Sequence, residues 1–149
     1  VNIVFSRASN KWLRKYRIQR NSLVRALMLL CYKEGYPSNK TLHVHIMYNG
    51  INSEFDICRN KIRVGIDLPN TASAKSKIRR MIRNLLHEFR HFIQYKIKHQ
   101  IPIFSYSYRD MLLQNDRYWN APEERDARKY ERQKLKFVLK QIIYIKPEV

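Results

Sequence analysis

Acidic side chains are scarce in this chain: 12 Asp and Glu stand against 30 Lys and Arg, and none occurs before Glu34. The resulting net charge of +18 creates a field that attracts polyanions such as nucleic acid or an acidic protein surface. No apolar run approaches the roughly 20 residues that a membrane-spanning helix requires, so no membrane partner is expected. Cysteine is limited to Cys31 and Cys58, whose isolation fits neither a zinc knuckle nor a disulfide framework. A reduced, intracellular setting is expected, cytoplasmic or nucleic-acid associated, with virion association a further option. The first residues lack the charged-then-apolar layout of a secretory signal. Internal repeats and low-complexity segments are absent as well.

What is present describes one folded domain of 149 residues, with 44% hydrophobic and 12% aromatic content and enough chain to bury a core. Residues 1–20 read as a basic N-terminal arm and 21–149 as a single domain. In the arm, Arg7, Lys11, Arg14, Lys15, Arg17 and Arg20 are candidate nucleic-acid contacts, with Trp12 and Tyr16 between them for base stacking. Asn21-Ser22 can cap a buried helix that ends at Gly35 and Pro37. Three strands are expected next: Thr41–Tyr48, then a hairpin of Glu54–Cys58 and Lys61–Leu68. A long helix should run from about Ser73 towards Lys98. Residues 100–119 form an aromatic-rich connection. Asn120-Ala121-Pro122-Glu123 should begin a last helix, with Asn120 as cap and Glu123 as capping-box residue, running to about Tyr144. The expectation is an α+β fold with a small, mostly antiparallel three-stranded sheet.

The long helix carries His87-Glu88-Phe89-Arg90-His91, an H-E-x-x-H pattern. Histidines at i and i+4 share a helix face and can reach one Zn²⁺, while the glutamate between them can take a proton from a water at the ion. The apolar stripe of this helix is Ile78, Met81, Ile82, Leu85, Phe89, Phe92 and Ile93. His87 and His91 project roughly opposite its centre, beside Arg83, Gln94 and Lys98, which argues against core histidines. The bland alternative is a pair of solvated histidines on a basic helix.

A catalytic zinc site takes three protein ligands and leaves a fourth position for water. A metzincin-type extension would need glycine at position 94 and histidine at 97, where this chain has Gln94 and Ile97. His99 would lie about 12 Å further along a continuous helix, too far to share the ion. A glutamate remains. On the last helix Glu124 shares a face with Ala127, Glu131, Leu135, Val138 and Ile142, and a carboxylate on an apolar stripe needs a partner. Glu124 is the first candidate ligand. Glu131 is the second, or an outer group orienting a histidine. An ion pair between Glu124 and an arginine is the alternative.

His87, Glu88 and His91 followed by Glu124 and Ala127 form H-E-x-x-H plus E-x-x-A, and this pattern resembles the small gluzincin metallopeptidases. Pro122 before the glutamates and Asp126 after them resemble compact phage and bacterial members. The resemblance spans roughly residues 40–142. It implies a zincin-like fold, a His87–His91–Glu124 zinc site, and hydrolysis of a peptide or protein substrate with Glu88 as general base. It also implies that an edge strand, by position Lys61–Leu68, runs past the metal to pair with substrate. An oxyanion donor is implied too, with Tyr106, Tyr108 and Tyr118 as candidates and Tyr108 preferred. One departure is Arg128, which stands where larger gluzincins often carry an acid.

Two rival readings remain. His43-Val44-His45 with Tyr95-x-x-Lys98 resembles rolling-circle nucleases of the HUH type, in which two histidines hold a divalent ion and tyrosine attacks DNA. A non-catalytic, basic nucleic-acid-binding protein on a zincin fold is the other. DNA-repair proteases of the SprT-like type combine both features but usually use a third histidine that this chain lacks.

Overall fold

The computed structural model describes residues 2–35, 39–47, 52–100 and 119–142. Its first residues do not form a separate arm. Asn2–Phe5 is a strand, β1, whose alternation turns Ile3 and Phe5 into the core. Helix α1 (Arg7–Lys15) follows, capped by Ser6, whose Oγ accepts from Ser9 N at 3.2 Å. It buries Trp12 and Leu13, and Ile18 beyond it is buried as well. The charge count hid this: apolar residues at suitable spacing are enough to draw a basic segment into a core. Helix α2 (Arg20–Lys33) begins after Gln19, earlier than the Asn21-Ser22 cap expected from sequence. It stops where Gly35 adopts a left-handed φ of 85°.

The sheet has four strands in the order β1-β2-β4-β3, with β2 (Thr41–Met47), β3 (Glu54–Asp56) and β4 (Lys61–Gly65). Both β1–β2 and β2–β4 are parallel, and β3–β4 alone is antiparallel. The expected mostly antiparallel, three-stranded sheet is therefore corrected. The parallel partner of β2 comes from the segment read as an arm, and parallel pairing carries no local turn signal. The expected hairpin forms from β3 and β4, with both strands shorter than Glu54–Cys58 and Lys61–Leu68 and with Asn60 at a φ of 49° in its turn. Beyond the end of β1, Ser9 continues the edge of β2: its Oγ donates to Val44 O at 3.3 Å and accepts from Ile46 N at 2.6 Å.

One face of the sheet, with Leu42, Val44, Ile46, Phe55, Ile62 and Val64, is buried. Helix α3 (Ala74–Phe92) lies against β3 and β4 on this side, capped by Ser73. It gives way to a π-helical turn, Ile93–Ile97, before the expected end near Lys98. Helix α4 (Pro122–Gln141) packs along α3 and also touches α2. Its N-cap is Ala121 with no side-chain cap bond, so Asn120 does not play that part and no capping box forms on it. The expected end near Tyr144 lies outside the described residues. Among the described residues, no helix is long and apolar enough to cross a membrane.

Candidate metal centre

Helix α3 is covered on two sides. Its apolar stripe faces the sheet, while α4 closes over the opposite face. His91 is thus only 2% exposed and Glu88 7%, contrary to the expectation that the histidines face away from the interior. The stripe identified one neighbour of α3, and a second buried face made of polar residues leaves no apolar trace in sequence. Ala127 is fully buried, a small residue where the two helices meet.

Glu124 brings one carboxylate oxygen to each histidine. Its Oε2 lies 2.8 Å from His87 Nε2 and its Oε1 lies 2.8 Å from His91 Nε2. The rings meet edge to face, with centroids 5.1 Å apart. His91 Nε2 and Glu124 Oε1 thus face each other as an ion-pair contact in a site that is almost wholly buried. Among the described residues, His87, His91 and Glu124 form the one group of three or more His, Cys, Asp or Glu side chains with metal-ligand spacing; their ligand atoms lie within 4.8 Å of one another. Zinc bonds of about 2.0–2.1 Å hold tetrahedral donor atoms roughly 3.3 Å apart. The contacts to Glu124 are 2.8 Å and no pair of ligand atoms exceeds 4.8 Å, so some separations would open and others close as the side chains gathered round an ion. Two imidazoles and a carboxylate could hold a metal ion, and they are donor types that zinc accepts.

The other nitrogen of each ring is held from behind. His87 Nδ1 lies 3.3 Å from Glu131 Oε2, and Glu131 is in turn 3.4 Å from Arg83 Nη2. Glu131 thus stands behind His87, at the nitrogen that faces away from Glu124. His91 Nδ1 lies 2.8 Å from Gln94 Oε1. The amide orientation follows from its other end: Gln94 Nε2 donates to Asp126 Oδ2 at 2.7 Å and to Glu123 O at 3.1 Å. Since an amide oxygen only accepts, His91 Nδ1 carries a proton, which leaves Nε2, the nitrogen facing Glu124, as the one that would take an ion. Tyr95 lies parallel to the His91 ring, with centroids 5.7 Å apart.

Asp126 is fixed by Arg90 Nε at 2.7 Å, and Arg90 Nη1 reaches Glu34 at 3.0 Å. Lys98 lies 2.9 Å from the same Glu34. A chain of charges thus links α2, α3, the π-helical turn and α4 behind the histidines. Sequence placed Gln94 beside the histidines but gave it no part; its position three residues after His91 was the available signal. The link through Glu34, Arg90 and Asp126 had no such signal, because its members are far apart in the chain.

Burial opposes the charged form of His87, but hydrogen bonds to Glu124 and Glu131 outweigh it and hold its pKa up at about 10. His91 is likewise raised, against burial, by Glu124 and Glu88. Glu124 goes the other way: burial raises its pKa, and its two histidine partners pull it well below the carboxylate range. Glu88 is raised by burial, with the histidines opposing and Glu124 and Glu54 adding to the rise. The neighbouring carboxylates favour the charged form of both imidazoles, so a metal ion would compete with protons for these nitrogens.

The remaining expectations separate from this centre. Arg7, Lys11, Arg14 and Lys15 are exposed on α1, and Arg17 and Arg20 are exposed after it. His43 and His45 occupy outward positions of β2, whereas Tyr95 is buried and stacks near Phe55 on the inward face. The sheet thus stands between the members of the nuclease constellation. β4 is interior, so the expected edge strand Lys61–Leu68 is corrected. The edge beside α3 is β3, where Glu54 pairs with Arg63 of β4. Tyr106, Tyr108 and Tyr118 lie outside the described residues. Comparison with protein-family models, curated proteins and solved structures finds no match.

Proposed function

We propose that this chain is a zinc-dependent metallopeptidase of the gluzincin type. The observation that carries the reading is the convergence of His87, His91 and Glu124, whose ligand atoms lie within 4.8 Å of one another, with Glu88 buried beside them on the helix that supplies both histidines. Zinc, when bound, supplies a Lewis acid that polarises a carbonyl and acidifies a water. Glu88 is the general base, adjacent in sequence to one ligand and three residues from the other. Glu131 and Gln94 fix the tautomers so that both Nε2 atoms face Glu124. Edge strand β3, in place of β4, is where an extended peptide would pair, since among the described residues no strand lies beyond it.

The test is cleavage of a peptide library by zinc-loaded protein, read by mass spectrometry. Glu88→Gln should keep the metal and lower the rate by about 10²–10⁴-fold. Undiminished cleavage by this variant would remove Glu88 as base. A zinc-loaded wild-type protein that cuts nothing in the library would contradict the peptidase reading while leaving the metal site standing.

A further inference from the structure

From its start to Lys33 the chain carries Arg7, Lys11, Arg14, Lys15, Arg17, Arg20, Arg25 and Lys33, and no acid. In the fold this imbalance has a shape. Exposed residues on α1 are Arg7, Ala8, Lys11, Arg14 and Lys15, while its apolar side is spent on the core. Among the described residues, Arg7, Lys11, Arg14, Arg17 and Arg20 form no ion pair with a carboxylate.

A cavity of about 590 Å³ opens on one flank of α1, lined by Ala8, Lys11, Trp12, Lys15, His45 and Ile46. This is the size of small-molecule sites, about 300–1,000 Å³. Trp12, 5% exposed and packed against Tyr16, is the aromatic part of its lining, and Lys11 and Lys15 lie one helical turn apart beside it. His45 is held in place by Ser6 Oγ, 2.7 Å from Nδ1. Burial and then Lys61 and Arg63 depress its pKa, so the positive field extends over the sheet. On the other flank of α1 a second cavity of about 330 Å³ includes Asn10, Arg14, Gln19, Arg20 and Asn21.

We infer that α1 and the outer face of β2 bind single-stranded nucleic acid. A base enters the Trp12 cavity, and Lys11, Arg14 and Lys15 meet backbone phosphates on either flank. Cations beside a recess with an aromatic lining residue are the combination that recognises an unpaired strand, because phosphates alone leave the recess without purpose. A lipid surface fits less well. The exposed large hydrophobic residues described are Val4, Leu29, Tyr32 and Trp119, none of them on α1, so α1 has nothing to insert. This inference stands independently of the metal centre.

The test uses the full chain carrying Trp119→Phe, which leaves Trp12 as the sole tryptophan. Titration with a 20-nucleotide single-stranded DNA should change Trp12 fluorescence saturably, and inorganic polyphosphate should not. Lys11→Gln/Arg14→Gln/Lys15→Gln should weaken binding about tenfold or more at 0.1 M salt and reduce the salt slope by about 2. Arg125→Gln/Lys129→Gln/Arg132→Gln, a charge-matched change on α4, should cost much less. Equal losses in the two triple variants, binding with silent Trp12 fluorescence, equal affinity for duplex DNA, or preferred partition to anionic vesicles would each overturn the proposal.

Discussion

The two charged regions of this protein are built on opposite principles. Around α3 and α4, Arg90 meets Asp126 and Glu34, Arg83 meets Glu131, and Glu124 meets both histidines. On α1, Arg7, Lys11 and Arg14 face solvent without a carboxylate among the described residues. Paired charges in a buried layer fix positions, because each group left without its partner there would be costly. Unpaired charges on a surface cost little and act at a distance. The first region is therefore read as a place where chemistry is held to tenths of an ångström, the second as a place that gathers a charged partner.

Removing residues 2–18 gives the largest expected effect on this contrast. If α1 were an appended binding arm, the remainder would stay folded. Because Ile3, Phe5, Trp12, Leu13 and Ile18 are buried, truncation should abolish the cooperative thermal transition. A truncated chain that melts normally by circular dichroism would restore the arm.

How much of this was legible in the sequence differs between the same two regions. Helical spacing brought His87, His91, Glu124 and Glu131 to the right faces, since i, i+4 and i+7 relations are local geometry. It could not say that α4 covers the histidine face of α3, which buries His91, nor that Gln94 turns inward on a π-helical turn. In the N-terminal region the dense charge masked the alternation of Ile3 and Phe5, and the partner of β1 is Thr41–Val44, beyond both α1 and α2 in the chain. Long-range parallel pairing of this kind has no signature in a short window.

Changes behind the ligands should have the next largest effect. Gln94→Leu and Glu131→Gln each leave the three ligands intact, yet should lower zinc affinity about 10–100-fold, measured by competition with a chromogenic chelator. Unchanged affinity would mean that the contacts behind the imidazoles do not orient them. The surface change Lys11→Gln/Arg14→Gln/Lys15→Gln should leave zinc affinity as it was, and a comparable loss there would erase the distinction between the regions.

A smaller effect is expected from pH. Asp126 is held below its ordinary pKa, against burial, by Arg90 and Gln94. Glu34 is held down likewise by Lys98 and Arg90. A carboxyl depressed in the folded state stabilises the fold above its unfolded pKa and loses that contribution as pH falls through the folded value. Melting temperature of the metal-free protein should therefore drop on acidification below about pH 4.5, the unfolded glutamate range. Asp126→Asn should flatten part of that fall. An acid limb identical in variant and parent would remove Asp126 from the account.

The most direct measurement is the zinc content and affinity of the purified protein and of Glu124→Ala. The wild-type chain should bind about one zinc per molecule, gain thermal stability on binding and release protons as it does so, while Glu124→Ala should lose tight binding. A wild-type chain that binds no zinc, or a Glu124→Ala variant that binds it as tightly, would contradict the metal centre itself.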